Sequence, residues 1–189
     1  MKRKCVISYI ILKDRRREDM EKTKQGIIEY LGAEGIEFEV FDYKENFDNM
    51  QQCSQIANEL SCNIFKNLFL QNRQGTEYFL LLMSANKKFR TADISKQIDK
   101  ARLSFGNDEK LYEYLGVKPG SITPLGLVFD QNHQVRVLID EDLLNENYVG
   151  VHPLINNSIV KIRMSDILEI VIRGTGHNYT TVKMVDYLT

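Results

Sequence analysis

A chain of 189 residues holds one domain, with or without a short appendage, and is long enough to bury its own core. Hydrophobic residues at 43% and charged residues at 27% exclude a disordered tail and a bundle of membrane helices. With 25 Lys and Arg against 26 Asp and Glu the net charge is -1, so nucleic-acid contact has to be a local feature, and a histone-like or coat-like binder is excluded.

The N-terminal apolar run Val6 to Leu12 lies between Lys2, Arg3, Lys4 and Lys13, Arg15, Arg16, Arg17. It is far shorter than the ~20 residues of a membrane helix and no small-residue cleavage site follows, so it reads as a basic leader or an extra strand. Three cysteines, Cys5, Cys53 and Cys62, form no CxxC or Cys/His cluster. Neither a disulfide framework nor a structural zinc site is expected, and the chain reads as cytosolic.

From Glu18 to Leu31, Met20, Ile27, Ile28 and Leu31 recur near helical spacing and Gly32 stands as a C-terminal glycine, which predicts a surface helix. Ile36, Phe38 and Val40 alternate with glutamates as in a half-buried strand. Cys53, Ile56, Ala57 and Leu60 place a second amphipathic helix over 50–60, with Cys53 as an apolar filler. Asn63 to Gln71 and Glu77 to Met83, joined by Asn72-Arg73-Gln74-Gly75, predict an antiparallel hairpin. Thr91 to Lys100 and Asp108 to Leu115 read as short helices, the second ended by Gly116. Leu125 to Phe129, Val135 to Ile139 and Ser158 to Ile162 read as strands, the first two flanking a turn. A last helix capped by Ser165 and a strand from Tyr179 complete the chain. Hairpins mixed with helices, without a regular strand–helix rhythm, predict an α+β domain with a mixed, largely antiparallel, curved sheet.

No phosphate loop, dinucleotide fingerprint, HExxH or GxSxG is present. Lys66 is anomalous, because strand alternation sets it among Ile64, Leu68 and Leu70; such a lysine snorkels, pairs or acts. Asn67 points to the other face. Gly116 to Gly126, GVKPGSITPLG, is a rigid loop that either turns backbone N–H groups to a ligand or merely connects. His152 stands beside Pro153 between a polar loop and a strand, whereas His133 and His177 lie in turn-like sequence and look dispensable.

In order along the chain, Lys66-Asn67-Leu68-Phe69-Leu70 with Asn72-Arg73, Phe89-Arg90-Thr91-Ala92-Asp93, Arg102-Leu103-Ser104-Phe105, Gly120-Ser121-Ile122-Thr123-Pro124 as a GxxxP loop, Val137-Leu138-Ile139-Asp140 and Gly150 with His152-Pro153 resemble the YbaK and prolyl-tRNA synthetase-associated editing domain family. The likeness is greatest to its PrdX or ProX-type branch of free-standing aminoacyl-tRNA deacylases and spans about residues 20–185, with 1–17 as a leader and 18–189 as the domain. It implies a single α+β domain with a barrel-like sheet surrounded by helices, and trans-editing hydrolysis of the ester in mischarged tRNA, with alanine on tRNA for proline as the expected substrate. Another mischarged amino acid or tRNA, or a non-catalytic tRNA-binding module, are the alternatives.

The resemblance makes Lys66 the essential lysine and Asn67 its pocket neighbour. Gly120, Ser121, Ile122, Thr123 and Pro124 line the amino-acid pocket, His152 closes its far wall, and Arg102 and Arg73 meet the tRNA. No metal or other cofactor is implied. The expected partner is the acceptor end of tRNA, with prolyl-tRNA synthetase a further candidate and no membrane. Gln71 departs from the lysine common at that position, which bears on tRNA selectivity.

Overall fold

The computed structural model describes residues 20–46 and 50–184. The leader of residues 1–17 therefore lies outside the described residues. The elements in order are α1 (Lys24–Ala33), β1 (Phe38–Asp42), α2 (Met50–Leu60), β2 (Asn63–Ile64), β3 (Lys66–Gln71), β4 (Tyr78–Met83), α3 (Thr91–Gln97), β5 (Ser104–Phe105) and α4 (Asp108–Leu115). A 3-10 helix (Pro124–Phe129), β6 (Val135–Asp140), a second 3-10 helix (Glu141–Asn145), β7 (Tyr148–Val151) and β8 (Ser158–Arg163) follow. The last elements are α5 (Met164–Asp166), which runs on as π-helical Ile167–Arg173, and β9 (Tyr179–Val182).

The strands form two sheets, a four-stranded one ordered β1-β8-β7-β2 and a five-stranded one ordered β5-β3-β4-β6-β9. Four of the seven strand pairings are antiparallel and three, β2 with β7, β4 with β6 and β6 with β9, are parallel. The expected single α+β domain with a mixed sheet is what the chain forms, divided into two sheets and not closed into a barrel.

Apolar periodicity explains the layering. β4, YFLLLM, is buried on both faces because it lies between β3 and β6 with a core on either side. Phe69, Leu80, Leu82, Val137 and Ile139 turn to the main core, which Val149, Val151, Val160 and Ile162 of the four-stranded sheet complete from the opposite side. Leu70, Phe79, Leu81, Met83 and Leu138 turn the other way, onto Ile94 and Ile98 around α3. A third cluster packs Ile56 and Leu60 of α2 against Ile64 and Ile159. Each strand residue is thus assigned to a layer by its parity.

Local signals set the helix ends. Thr23 caps α1 through its side chain, which accepts the Gly26 N–H, and Asn107 does the same for α4 with Glu109 and Lys110. Gly116 ends α4 at φ 68, as its position predicted. α1 runs past Gly32 to Ala33.

Three expectations change. Residues 125–129 are a 3-10 helix and not a strand: Thr123 caps it, Pro124 opens it, and its Gly126 packs so closely on α4 that a Cβ there would lie 2.6 Å from the Leu115 carbonyl oxygen. The turn at 130–134 accordingly has no strand before it, and β6 pairs in parallel with β4 and β9. Ser165 does not cap the last helix, which begins at Met164. His177 is not dispensable. It is buried, with Nε2 3.2 Å from Asp130 Oδ2 and Nδ1 2.8 Å from Thr175 Oγ1, and Asp130 also accepts the Val135 and Gln134 N–H groups. This network ties the end of the π-helical stretch to the start of β6.

Candidate active site at the junction of the two sheets

The run from 63 to 71 is two strands. β2 pairs with β7 in one sheet, the chain crosses at Phe65, and β3 begins at Lys66 in the other sheet. Ile64 consequently packs with α2, so it does not share a face with Lys66 as alternation through one strand had suggested. Lys66 and Asn67 are the first residues after the crossing.

Register places their neighbours. Lys66 pairs with Met83, Leu82 pairs with Ile139, and Asp140 pairs with Val182, so Lys66, Met83, Asp140 and Val182 form one row at the carboxyl ends of the parallel strands. Ligand sites of open α/β sheets gather at that edge. With strands about 4.8 Å apart, Lys66 and Asp140 stand roughly 10 Å from each other across Met83. On the other side, Ile64 lies opposite Gly150, and Lys66 and His152 each follow two residues later on parallel chains.

The half-buried Lys66 donates from Nζ to the Lys87 carbonyl, 3.3 Å away. That carbonyl belongs to a turn in which the Lys87 N–H bonds to the Ser84 carbonyl. The turn is fixed to β6 by Asp140, fully buried, which accepts the Ser84 N–H at 3.2 Å and the Lys87 ammonium at 2.9 Å. Asp142 is the second carboxylate on Lys87. Burial pulls the Lys87 pKa down, but hydrogen bonds to Asp142 and Asp140 outweigh it, and the ammonium is held above its ordinary value. Sequence reading missed Lys87, Asp142 and Ser84 and treated Asp140 only as part of a strand. The acid that ends a buried strand and the lysine in a polar turn after another were the signals available.

Asn67 faces the main core, opposite Leu82. Its Oδ1 is, among the described residues, the one buried side-chain nitrogen or oxygen with no hydrogen-bond partner. Leaving such a group unsatisfied costs about 1–3 kcal/mol, which marks a place held for something other than stability.

The loop from 116 to 126 is built as a rigid element. Gly120 has φ 90, Ser121 is buried and its hydroxyl donates to the Lys118 carbonyl, and Thr123, fully buried, accepts the Leu125 N–H. Ile122 packs half-buried against the main core, the one Asn67 faces, and Pro124 is buried as the first residue of the 3-10 helix. A Cβ on Gly120 would lie 3.6 Å from Asn156, so this loop meets the loop that follows His152. His152 Nδ1 is 3.1 Å from the Ser158 carbonyl, which can only accept, so Nδ1 carries the proton. Burial lowers the His152 pKa against the opposing effect of that bond.

Asn67 and Ile122 thus both turn to the main core, and the 120–124 loop meets the loop after His152 where Gly120 approaches Asn156. Lys66 sits at the same strand end but bonds toward the 84–87 turn. Arg73 and Arg102 are exposed at the other end of β3: Ser104 pairs with Gln71, which puts Arg102 level with Arg73, roughly 20 Å along the strand from Lys66. A groove of about 1030 Å³ lined by Cys62, Asn63, Glu146, Tyr148, Arg163 and Ser165 opens at the start of β2 and β7, away from Lys66. Burial pushes the Cys62 thiol up to about 11, which disfavours its thiolate. Among the described residues no helix is long and apolar enough to cross a membrane.

Comparison with known proteins fits this geometry. The family model for the aminoacyl-tRNA editing domain matches residues 44–170, which include Lys66, Asn67, the GxxxP loop and His152. The prolyl-tRNA editing protein ProX of Acetoanaerobium sticklandii is 26% identical over 166 residues, covering 88% of this chain and 99% of its own. The prolyl-tRNA synthetase associated domain-containing protein 1 of Mus musculus is 28% identical over 152 residues, 78% of this chain and 88% of its own. Among solved structures, hypothetical protein APE2540 has a TM-score of 0.63 at 16% identity, over 86% of this chain and 99% of its own. A protein proposed as a trans-editing enzyme for prolyl-tRNA synthetase has a TM-score of 0.61 at 18% identity, over 84% and 93%. At such identities the structural likeness is one of fold alone. With more than half of its length matched to that model, the chain belongs to the aminoacyl-tRNA editing domain family.

Proposed function

We propose that this protein is a trans-editing deacylase that hydrolyses the ester of mischarged tRNA, with alanine on tRNA for proline as its substrate. The observation that carries the reading is the presence, on successive residues at one strand end in a chain of this family, of the half-buried Lys66 ammonium and the unpartnered buried acceptor of Asn67.

An aminoacyl ester is already activated, so the protein has to position it and stabilise charge, and needs no serine or cysteine nucleophile. Asn67 Oδ1 suits the α-ammonium of the amino acid, the only strong cationic donor on that substrate. Lys66 supplies the positive charge for the oxyanion or the terminal phosphate. The loop from Gly120 to Pro124 limits the side chain admitted, and His152 forms the far wall. Arg102 and Arg73 serve the acceptor stem through phosphate contacts. A synthetase pocket for proline discriminates against the smaller alanine by only ~1–3 kcal/mol, so a second, size-excluding site meets a need.

The test is deacylation of alanyl-tRNA for proline by purified protein in the presence of EDTA, with prolyl-tRNA as control. The expected result is rapid loss of alanine with proline retained, and loss of turnover in Lys66→Ala with the fold intact. Full activity of Lys66→Ala would remove that residue from the mechanism, and no turnover on any mischarged tRNA would refute the deacylase.

A further inference from the structure

Phe105 is 65% exposed, more than Tyr112, Tyr148 or Ile155, the other exposed large hydrophobic side chains among the described residues. It belongs to β5, an edge strand of two residues. Burying a phenylalanine is worth roughly 1.5–3 kcal/mol, which the fold forgoes here.

The exposed ring is held in place. The Gly106 N–H donates to the Phe69 carbonyl at 2.9 Å, and the Asn107 N–H to Gln71 Oε1 at 3.1 Å. A Cβ on Gly106 would lie 2.3 Å from the Phe69 ring, so the backbone beside Phe105 is seated directly on that ring. Phe89 supports Phe105 from the side, with centroids 5.9 Å apart and planes inclined by 52°. The arrangement is a fixed aromatic surface open to water.

Its place relative to Lys66 is set by register. Phe105 pairs with Leu70, so its side chain shares the face of Leu70, Leu68 and Lys66. Leu70 is four residue steps along the strand from Lys66, about 13 Å, a span that a few unpaired nucleotides bridge. Exposed cations flank the ring along the chain, Lys88 before Phe89 and Arg102 before Phe105. The nearest following acids, Asp108 and Glu109, lie in the first turn of α4, where the helix N-terminus engages them. Aromatic faces with interleaved cations bind single-stranded nucleic acid irrespective of base, since every base has a π-face.

We propose that Phe105 is a stacking platform for an unpaired base near the 3′ end of the tRNA, holding that strand while its terminus reaches the Lys66 end of the sheet. The proposal rests on the deacylase reading, because it takes tRNA as the ligand.

The chain contains no tryptophan, so Phe105→Trp introduces a single indole fluorophore. Its emission is followed during titration with uncharged tRNA for proline and with a short single-stranded RNA ending in CCA. Saturable quenching by both is expected. In parallel, Phe105→Leu, which keeps an apolar side chain and removes the π-face, is expected to weaken tRNA binding about tenfold. Tyr112→Leu, a change at another exposed aromatic side chain on α4, is expected to leave binding as in the wild type. Wild-type affinity in Phe105→Leu, or no quenching in Phe105→Trp, overturns the platform. So does loss of a dimer in Phe105→Leu by sedimentation with RNA affinity unchanged, which would make β5 a self-association edge. Phe105-dependent RNA binding by a protein that deacylates no mischarged tRNA supports the platform and refutes the deacylase.

Discussion

Asp140→Asn keeps the shape of the side chain and its capacity to accept the Ser84 N–H, and removes only the charge. The Lys87 ammonium, 2.9 Å away and itself buried, then faces the exposed carboxylate of Asp142 alone. Breaking a buried ion pair from one side costs about 3–5 kcal/mol, and the remaining carboxylate brings the expected loss to about 3 kcal/mol. Lys87→Met leaves a fully buried carboxylate with a single amide donor and is expected to cost a similar amount. The double variant removes both charges together, so it should cost about 2 kcal/mol less than the sum of the two single changes. Urea unfolding of the four proteins measures all of this. The sign with pH is also set: a lysine held above its unfolded value of 10.5 contributes stability that is complete below that pH and is lost as pH rises through the folded pKa. The gap between wild type and Asp140→Asn should hold through neutral pH and narrow in strong alkali. A loss under about 1 kcal/mol, or strictly additive single changes, would refute the account of the 84–87 turn as nailed to β6.

Three further outcomes are expected. Asn67→Leu removes a buried unsatisfied oxygen and should raise stability by about 1 kcal/mol in the same unfolding assay while abolishing deacylation. His152, with its pKa lowered by burial, contributes stability that is complete above its unfolded value of 6.5 and is lost as pH falls through the folded value, so the melting-temperature gap between wild type and His152→Gln should shrink as the buffer is taken below 6.5. Gly120→Ala meets no close neighbour, the nearest atom being 3.6 Å from the new Cβ, so its cost of about 1–2 kcal/mol by urea unfolding comes from φ 90 alone.

Much of the fold was legible because the strongest signals were local. The hairpin of β3 and β4 followed from two apolar runs around a polar Asn-Arg-Gln-Gly turn, and α2 and α4 from spacing and a terminal glycine. Where apolarity competed with a cap signal, apolarity misled: Leu125 to Phe129 looked like a strand, yet Thr123-Pro124 already announced a helical start. The crossing at Phe65 was illegible because β2 and β3 are contiguous in sequence, and only the partner strands reveal that they belong to different sheets. Lys66 stood out as a charge among apolar neighbours. Its support did not, since the groups that hold it are a backbone carbonyl and a carboxylate on residues far along the chain. The same holds for His177, whose burial depends on Asp130 and Thr175 converging from separate segments.

The anchor of Lys66 is a neutral dipole. A carboxylate in the place of the Lys87 carbonyl would fix the ammonium equally well but would cancel its field, and a nucleotide arriving there would meet a salt bridge already formed. Here Met83 stands between Lys66 and Asp140 in the row, Asp140 is already answered by Lys87, and the remaining acid, Asp142, is out in water where its field is screened. The lysine is therefore oriented by a carbonyl and not by a salt bridge, which leaves the end of β3 open to whichever anion reaches it.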